Sequence, residues 1–190
     1  MTKTKIAIFA SGTGSNAINL IHFFENHPSI EVGFVLSNKK DAPVLSSAEK
    51  LRVPVFYYSN EQVSDGAFLT RFCQKNGIDW IVLAGYLRLI PNELIQSYSN
   101  RMINLHPSLL PKYGGKGMFG GHVHQAVLEN KETESGITIH YVNNEFDKGN
   151  IIAQFHCSIE ETDDIKDLEG KIRKLEQGYL PIVVQNTIIN

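Results

Sequence analysis

The sequence predicts an α/β protein with a doubly wound, mostly parallel sheet and an antiparallel strand pair late in the chain. Short continuous apolar runs alternate with amphipathic stretches up to about residue 106, the pattern of parallel strands covered on both faces by helices. A glycine-containing loop lies between the first run and the first helix. Two later apolar runs, 137–143 and 150–159, are too close together for a helix between them, which favours an antiparallel pair.

Each predicted element follows from its local pattern. The strands are short and apolar, with 53–58 expected at an edge and 79–85 at the centre, and they lie at 5–10, 32–37, 53–58, 79–85, 101–106, 137–143 and 150–159. The helices have apolar residues at helical spacing and lie at 15–26, 43–51, 66–77, 92–99, 122–130 and 163–185. Pro181 is expected to bend or split the last helix, because proline removes a backbone donor.

The composition predicts one domain, and it limits the function classes. The chain has 190 residues with 18 basic and 20 acidic side chains, a formal net charge of −2. That balance argues against nucleic acid or an anionic membrane as a general partner. Cys73 and Cys157 form no paired motif, and the first apolar run is too short for a signal peptide or a membrane span. We therefore expect a cytoplasmic protein.

The loop SGTGSN follows the first strand and opens the first helix. Gly12 and Gly14 permit a tight backbone, and Ser15 or Asn16 is expected to cap the helix. Free N–H groups at a helix N-terminus suit a phosphate. The third glycine of a dinucleotide motif and the acidic residue after the second strand are absent. A monophosphate is thus the first interpretation, with a nucleotide cofactor and a structural turn as the alternatives.

Polar side chains end the strand at 101–106. Asn104 and His106 are two residues apart, so both project from one face of the strand, and Pro107 favours an extended backbone at His106. The carboxyl ends of parallel strands border the ligand crevice of such sheets. A carboxamide and an imidazole there are equipped to stabilise an oxyanion and to move a proton. The alternative is a capping asparagine with a structural histidine.

Asp147 lies in the loop between the two late strands. A carboxylate beside His106 would orient the imidazole and favour its charged form. The alternative is an ordinary turn aspartate, since Gly149 follows closely. The pair His122 and His124 lacks the spacing of known metal motifs, so we expect no metal.

Several segments together resemble the phosphoribosylglycinamide formyltransferase family of folate-dependent formyltransferases. They are ASGTGSN, VLAGYLRLI, NLHPSLLPKYGGKGM, VHQAVL, ESGITIH and DKGNII, in this order along almost the whole chain. The resemblance implies a Rossmann-like formyltransferase fold in a single domain 1–190, with a phosphate-binding half at about 1–100 and a folate and catalytic half at about 101–190. It also implies formyl transfer from 10-formyltetrahydrofolate, a co-substrate, to the amino group of glycinamide ribonucleotide in purine biosynthesis.

The resemblance also implies the site. Asn104, His106 and Asp147 match the catalytic trio, with a protonated His106, and Glu176 matches a carboxylate near the glycinamide end of the nucleotide. The phosphate-binding residues that it implies are Gly12, Thr13, Gly14, Ser15 and Asn16. The folate pocket wall that it implies comprises Leu83, Arg88, Leu89, Ile90, Val142, Asn143 and Asn144. Only small molecules are expected as partners, in a monomer or homodimer.

The chain departs from the family pattern in two places. Asn150 stands where many members have proline, and no clear counterpart exists near 62–71 for an arginine that some members place on the substrate phosphate. Arg173 or Lys174 is the candidate for that positive charge. The alternatives are a formyltetrahydrofolate hydrolase, another folate-dependent formyltransferase acting on sugar nucleotides or charged initiator tRNA, and a non-catalytic nucleotide-binding module. The hydrolase relatives usually carry an extra N-terminal domain, which we do not expect here.

Overall fold

The computed structural model describes residues 2–189, which contain seven strands and seven helices. The strands are β1 Thr4–Phe9, β2 Ile30–Ser37, β3 Val55–Tyr57, β4 Trp80–Leu83, β5 Met102–His106, β6 Glu134–Tyr141 and β7 Ile151–Ser158. The helices are α1 Ser15–Phe24, α2 Pro43–Lys50, α3 Asn60–Ser64, α4 Gly66–Lys75, α5 Asn92–Ser97, α6 Gly121–Glu129 and α7 Ile165–Ile189. No helix in residues 2–189 is both long enough and apolar enough to cross a membrane.

The hydrogen-bonded strand order is β3-β2-β1-β4-β5-β6-β7. β1 pairs in parallel with β2 and β4, and β2 with β3, whereas β6 and β7 are antiparallel. The predicted fold class is therefore confirmed, including the late antiparallel pair and the edge position of β3. By compactness the chain divides into two units, Met1–Ile103 and Asn104–Asn190. The single domain implied by the sequence stays a prediction.

The first unit is built on apolar strands. The last four residues of β1 are fully buried, because a strand with neighbours on both sides and helices on its faces has no solvent side. Aromatic side chains from β1, β2 and α4 continue this core, including Phe9, Phe34 and Phe72. The short helix α3 was not predicted, although Ser59 and Gln62 form a capping box at its start. The capping box is visible in the sequence, but the helix is too short to show helical periodicity of its apolar residues.

The start of α1 corrects one expectation. The N-cap is Gly14, with φ 77°, and no side chain caps the helix, so the prediction that Ser15 or Asn16 caps it is wrong. The left-handed backbone requires glycine here. A Cβ atom at Gly14 would also overlap the side chain of Val44 in α2. The loop geometry is consequently fixed by packing as well as by backbone preference.

The second unit pairs β6 with β7 and covers them with helices. Ile137 lies opposite Phe155 in the antiparallel register. The last helix runs continuously from Ile165 to Ile189 with Pro181 inside it, so the expected split does not occur. An interior proline costs a helix about 3 kcal/mol. Pro181 and its neighbours Leu180 and Val184 are buried within this helix.

Candidate active site

Three polar side chains meet at the end of β5. Asp147 lies in the loop after β6 and contacts both residues of the polar strand end. One carboxylate oxygen, Oδ1, accepts a hydrogen bond from Asn104 Nδ2 at 3.3 Å, and the other, Oδ2, lies 3.4 Å from His106 Nδ1. The structure thus brings together the three residues that the resemblance implied as a catalytic trio.

The Asp147 loop is fixed by its backbone. Asp147 itself has φ 56°, a left-handed conformation that aspartate tolerates better than most residues. The backbone N–H of Gly115 donates to Asp147 Oδ2 at 2.9 Å. Two residues further on, a Cβ atom at Gly149 would overlap the carbonyl oxygen of Tyr141. A close approach that only glycine allows therefore sets the position of this loop against the end of β6.

His140 is a member of the site that the sequence analysis missed. Its Nδ1 lies 2.8 Å from the carbonyl oxygen of Tyr141, which can only accept, so Nδ1 carries a hydrogen. Its Nε2 then accepts a hydrogen bond from Asn104 Nδ2 at 3.0 Å, and it lies 3.6 Å from Asp147 Oδ1. His140 is a polar residue near the end of an apolar strand. The same feature identified Asn104, so it could also have identified His140.

Tyr113 also contacts the site through its backbone. The Nε2 atom of His106 lies 2.8 Å from the carbonyl oxygen of Tyr113. His106 is therefore held on both ring nitrogens, by a neutral carbonyl on one side and the carboxylate of Asp147 on the other. Nothing in the local sequence pattern predicted this contact, because it depends on a turn with positive φ at Tyr113.

Burial and neighbouring groups act in opposite directions on His106. Burial lowers the pKa of His106 below its ordinary value, although Asp147 and the Tyr113 carbonyl act to raise that pKa. Asp147 acts in the expected direction, but the loss of solvent is the larger effect. The protonated His106 that the resemblance implies for the catalytic step stays a prediction.

Asp147 keeps its negative charge in the same environment. Burial raises the pKa of Asp147, but the opposing contacts, among them the hydrogen bond from the Gly115 N–H, outweigh burial and bring that pKa below its ordinary value. The N–H groups of Gly115 and Asn104 donate to the two carboxylate oxygens. The site therefore holds a charged carboxylate beside the His106 imidazole.

The glycine loop lies in the first unit, between β1 and α1. Of its residues, Gly12, Thr13 and Ser15 are exposed, whereas Gly14 and Asn16 are buried. Exposed N–H groups at the start of a ten-residue helix can receive an anion. The start of the loop is fixed on its buried side, because the Ser11 hydroxyl donates a hydrogen bond to Asn38 Oδ1 at 2.6 Å.

The other predicted site residues lie in several elements. In the first unit, Leu83 and Ile90 are buried, whereas Arg88 and Leu89 are exposed in the segment after β4. In the second unit, Val142 is half-buried. The remaining positions there are Asn143 and Asn144, which are exposed, and Glu176, which is half-buried on α7.

Asn143 shapes the start of the loop that carries Asp147. Its Oδ1 accepts from the Glu145 N–H at 3.0 Å, and its Nδ2 donates to the Lys148 carbonyl at 3.1 Å. Such local side-chain bonds replace regular backbone pairing in a turn. Asn143, which is predicted to bind folate, therefore also makes hydrogen bonds that stabilise this loop.

The trio can perform acid–base chemistry at a carbonyl group. An amide N–H and an imidazole N–H are donors that stabilise negative charge on oxygen. A carboxylate in contact with an imidazole can share a proton with it. The arrangement suits transfer of an acyl-type group between two nucleophiles.

A family model described as formyl transferase matches residues 4–184. Among curated proteins, the chain is 34% identical over 190 residues to phosphoribosylglycinamide formyltransferase of Bacillus subtilis (strain 168), covering 97% of this chain and 94% of that one. It is 40% identical over 189 residues to the chloroplastic phosphoribosylglycinamide formyltransferase of Arabidopsis thaliana, covering 95% of this chain. The chain spans only 64% of the Arabidopsis protein and 60% of its counterpart in Vigna unguiculata.

Solved structures show the same similarity. Phosphoribosylglycinamide formyltransferase from Streptococcus pneumoniae TIGR4 superposes with a TM-score of 0.86 at 30% identity, covering 99% of both chains. The enzyme of that name from Bacillus halodurans superposes with a TM-score of 0.88 at 32% identity, covering 98% of this chain and 96% of that one.

Proposed function

We propose that this chain, which belongs to the formyl transferase family, transfers a formyl group from 10-formyltetrahydrofolate to the amino group of glycinamide ribonucleotide. The products are formylglycinamide ribonucleotide and tetrahydrofolate, in purine biosynthesis. The observation that carries the proposal is the contact of one carboxylate, Asp147, with both Asn104 and His106. The printed names of the relatives support the choice of substrates.

The reaction requires a proton to move from one nitrogen to another. The neutral amine of the ribonucleotide attacks the formyl carbon, a C–N bond forms, and negative charge collects on the formyl oxygen. The amine then loses a proton, the bond between the formyl carbon and the folate nitrogen breaks, and that nitrogen takes up a proton. The two substrates and the two products therefore balance without any further reagent.

The trio residues divide this work. Asn104 turns an N–H from Asp147 toward the formyl oxygen, since that hydrogen bond, at 3.3 Å, is the longer of its two. A protonated His106 would stabilise the negative charge that develops on the oxygen, and that charge in turn raises the affinity of the ring for its proton. Asp147 would support the imidazolium and help carry the proton from the attacking amine to the departing folate nitrogen. Acid–base assistance of this kind contributes about 10²- to 10⁴-fold in rate.

The remaining predicted residues would bind the two substrates. The loop Gly12–Asn16 would bind the substrate phosphate through backbone N–H groups. Glu176 would bind near the glycinamide amine. The residues predicted to bind folate are Leu83, Arg88, Leu89 and Ile90 in the first unit and Val142, Asn143 and Asn144 in the second. We expect a cytoplasmic protein, as a monomer or homodimer, whose substrates are these small molecules and which uses no metal.

A spectrophotometric assay with 10-formyltetrahydrofolate tests this function. Tetrahydrofolate is expected only when glycinamide ribonucleotide is present. Equal product without the ribonucleotide would identify a hydrolase, and no product under either condition, with no folate binding by calorimetry, would contradict formyl transfer altogether.

Substitution of His106 by alanine tests the assignment of the catalytic group. Turnover should fall by about 10²- to 10⁴-fold, because the acid–base group that stabilises the oxyanion is lost. Affinity for the ribonucleotide, measured by calorimetry, should stay close to that of the wild type. Wild-type turnover in His106→Ala would exclude this residue from the reaction.

A further inference from the structure

Ser11 lies at the start of the glycine loop, but residues outside that loop accept both of its hydrogen bonds. Its backbone N–H donates to the carbonyl oxygen of Gly85 at 3.0 Å, and its hydroxyl donates to Asn38 Oδ1 at 2.6 Å. The residue is 1% exposed. A serine hydroxyl has one hydrogen to donate, so Ser11 in this arrangement offers no donor to an anion at the loop. Its role is therefore defined by the protein groups that it contacts.

The Ser11 hydroxyl also accepts a hydrogen bond from a segment 76 residues away in the chain. The backbone N–H of Leu87 donates to Ser11 Oγ at 2.9 Å. Residues 84–91 of the described chain, between β4 and α5, form neither helix nor strand. A side-chain oxygen thus accepts an N–H that a backbone carbonyl accepts in regular structure. The position of the Leu87 backbone consequently depends on the side chain of Ser11.

The segment held in this way carries predicted folate-binding residues of the first unit. Arg88 and Leu89 follow Leu87 directly and are exposed, and the next residue, Ile90, is buried. Ligand sites combine apolar contacts with a few precisely placed polar groups, including backbone N–H and carbonyl groups. Peptide planes leave only two free dihedral angles per residue. A shift of the Leu87 backbone would therefore displace its neighbours and the ligand contacts that they make.

Two asparagine side chains fix the Ser11 hydroxyl itself. Asn38 is 7% exposed, and while its Oδ1 accepts from Ser11, its Nδ2 donates to Asn60 Oδ1 at 2.9 Å. Asn60 is the first residue of α3, directly after the N-cap Ser59. Because the Ser11 hydrogen is directed to Asn38, a lone pair of Ser11 Oγ is available for the Leu87 N–H. The network joins the ends of β1 and β2 and the start of α3 to the segment after β4.

The glycine loop has contacts of its own that do not involve the Ser11 hydroxyl. The carbonyl oxygen of Gly12 accepts from the Val44 N–H at 3.2 Å, and that of Gly14 accepts from the Ile18 N–H at 2.9 Å. Close packing of Gly14 on Val44 restricts the loop further. Loss of the Ser11 hydroxyl should consequently disturb the segment after β4 more than the glycine loop.

We propose that Ser11, although it opens the loop that would bind the substrate phosphate, is a positioning residue for the other substrate, because through Leu87 it sets the backbone of the folate-binding segment 87–90. Asn38 and Asn60 hold the Ser11 hydroxyl in that role. The effect on folate rests on the proposed function. The anchoring of Leu87 does not, since it follows from hydrogen bonds within the protein.

The variant Ser11→Ala tests the inference through the affinities of the two ligands. The dissociation constant of tetrahydrofolate, measured by calorimetry, should rise about fivefold, the size of one hydrogen bond, whereas that of glycinamide ribonucleotide should stay within about twofold. KM for 10-formyltetrahydrofolate should rise in proportion, with kcat nearly unchanged. A general loss of structure would weaken both ligands. An unchanged folate constant, or an equal rise for the two ligands, would overturn the inference.

Asn60 provides a second pair of variants at an exposed position, where the risk to folding is smaller. Asn60→Ala removes the acceptor of Asn38 Nδ2 and should weaken tetrahydrofolate binding about twofold, the lower end for one hydrogen bond. Asn60→Asp keeps an acceptor oxygen at this position and should restore the wild-type affinity. If Asn60→Asp binds folate as weakly as Asn60→Ala, the hydrogen-bond network does not set that affinity.

Hydrogen exchange of the Leu87 amide, measured by NMR without any ligand, reports the anchor independently of the reaction. Exchange should be about fivefold faster in Ser11→Ala than in the wild type. Unchanged exchange at Leu87 would overturn the inference. A wild type that binds no folate would instead refute the proposed function and leave the exchange result standing, so the two failures are distinguishable.

Ser37→Ala is the matched control. Ser37 is also a buried serine at the end of a strand, β2, and its hydroxyl accepts from the Lys39 N–H at 3.2 Å, within its own turn. The control loses a comparable hydrogen bond but has no contact of this kind with the segment after β4. It should leave Leu87 exchange and both dissociation constants at their wild-type values, and a rise in the folate constant equal to that of Ser11→Ala would contradict a specific role of Ser11.

Discussion

At the scale of single residues, the site depends on which N–H groups donate to each acceptor atom. Asn104 donates from Nδ2 to both His140 and Asp147, and the Gly115 N–H donates to the second carboxylate oxygen. Because the carboxylate is half-buried, the two hydrogen bonds that it accepts stabilise a charge that burial disfavours. The N–H donor of the Asn104 amide therefore matters more than the size of the side chain.

Substitution of Asn104 by aspartate tests this point. The change keeps the shape of the side chain but replaces an N–H donor with a negative charge beside Asp147. We expect kcat to fall by roughly 10²- to 10³-fold, the effect of losing one oxyanion donor. The assay with both substrates measures it. Asn100→Asp, an exposed position with φ 55° that aspartate tolerates, is the control, and equal activity of the two variants would contradict the role of the amide.

At the scale of elements, two glycines of the second unit differ in the space that surrounds their Cβ position. Gly149 lies against the carbonyl oxygen of Tyr141 at the end of β6, so a Cβ atom there has no space. Gly170 lies inside α7 with no heavy atom near its Cβ position. The same substitution should therefore have opposite effects in the loop and in the helix.

Alanine at each position makes this prediction quantitative. Gly170→Ala should raise the free energy of unfolding by about 0.8 to 1 kcal/mol, the difference in helix propensity. Gly149→Ala should lower it by about 1 to 3 kcal/mol through overpacking and backbone displacement, and should reduce turnover because Asp147 is two residues away. Urea denaturation followed by circular dichroism measures both. Stabilisation by Gly149→Ala would show that the loop is not closely packed on β6.

At the scale of the whole molecule, buried histidines make stability depend on pH. Burial lowers the pKa of both His106 and His124 below the ordinary value of about 6.5. The unfolded chain then binds more protons than the folded chain between the lowered pKa and about pH 6.5. Stability from these groups is present above about pH 6.5, is lost as the pH falls through that window, and stays constant below the folded pKa.

The His124→Asn variant tests the contribution of one histidine. His124 is 5% exposed, so charging it inside the fold is unfavourable. The variant should show a shallower loss of unfolding free energy between about pH 6.5 and pH 5 than the wild type. An identical slope for His124→Asn would mean that His124 does not titrate differently in the folded state.

Local sequence patterns predicted the seven strands, every helix except α3, the glycine loop after β1 and the polar end of β5. These features depend on residues close together in the chain, where periodicity, backbone preference and turn chemistry act directly. Side-chain contacts between distant residues could not be predicted in this way: that of Asp147 with Asn104, 43 residues away, that of Asn104 with His140, and that of Tyr113 with His106. The same holds for the direction of the His106 pKa, because burial is set by packing from distant elements.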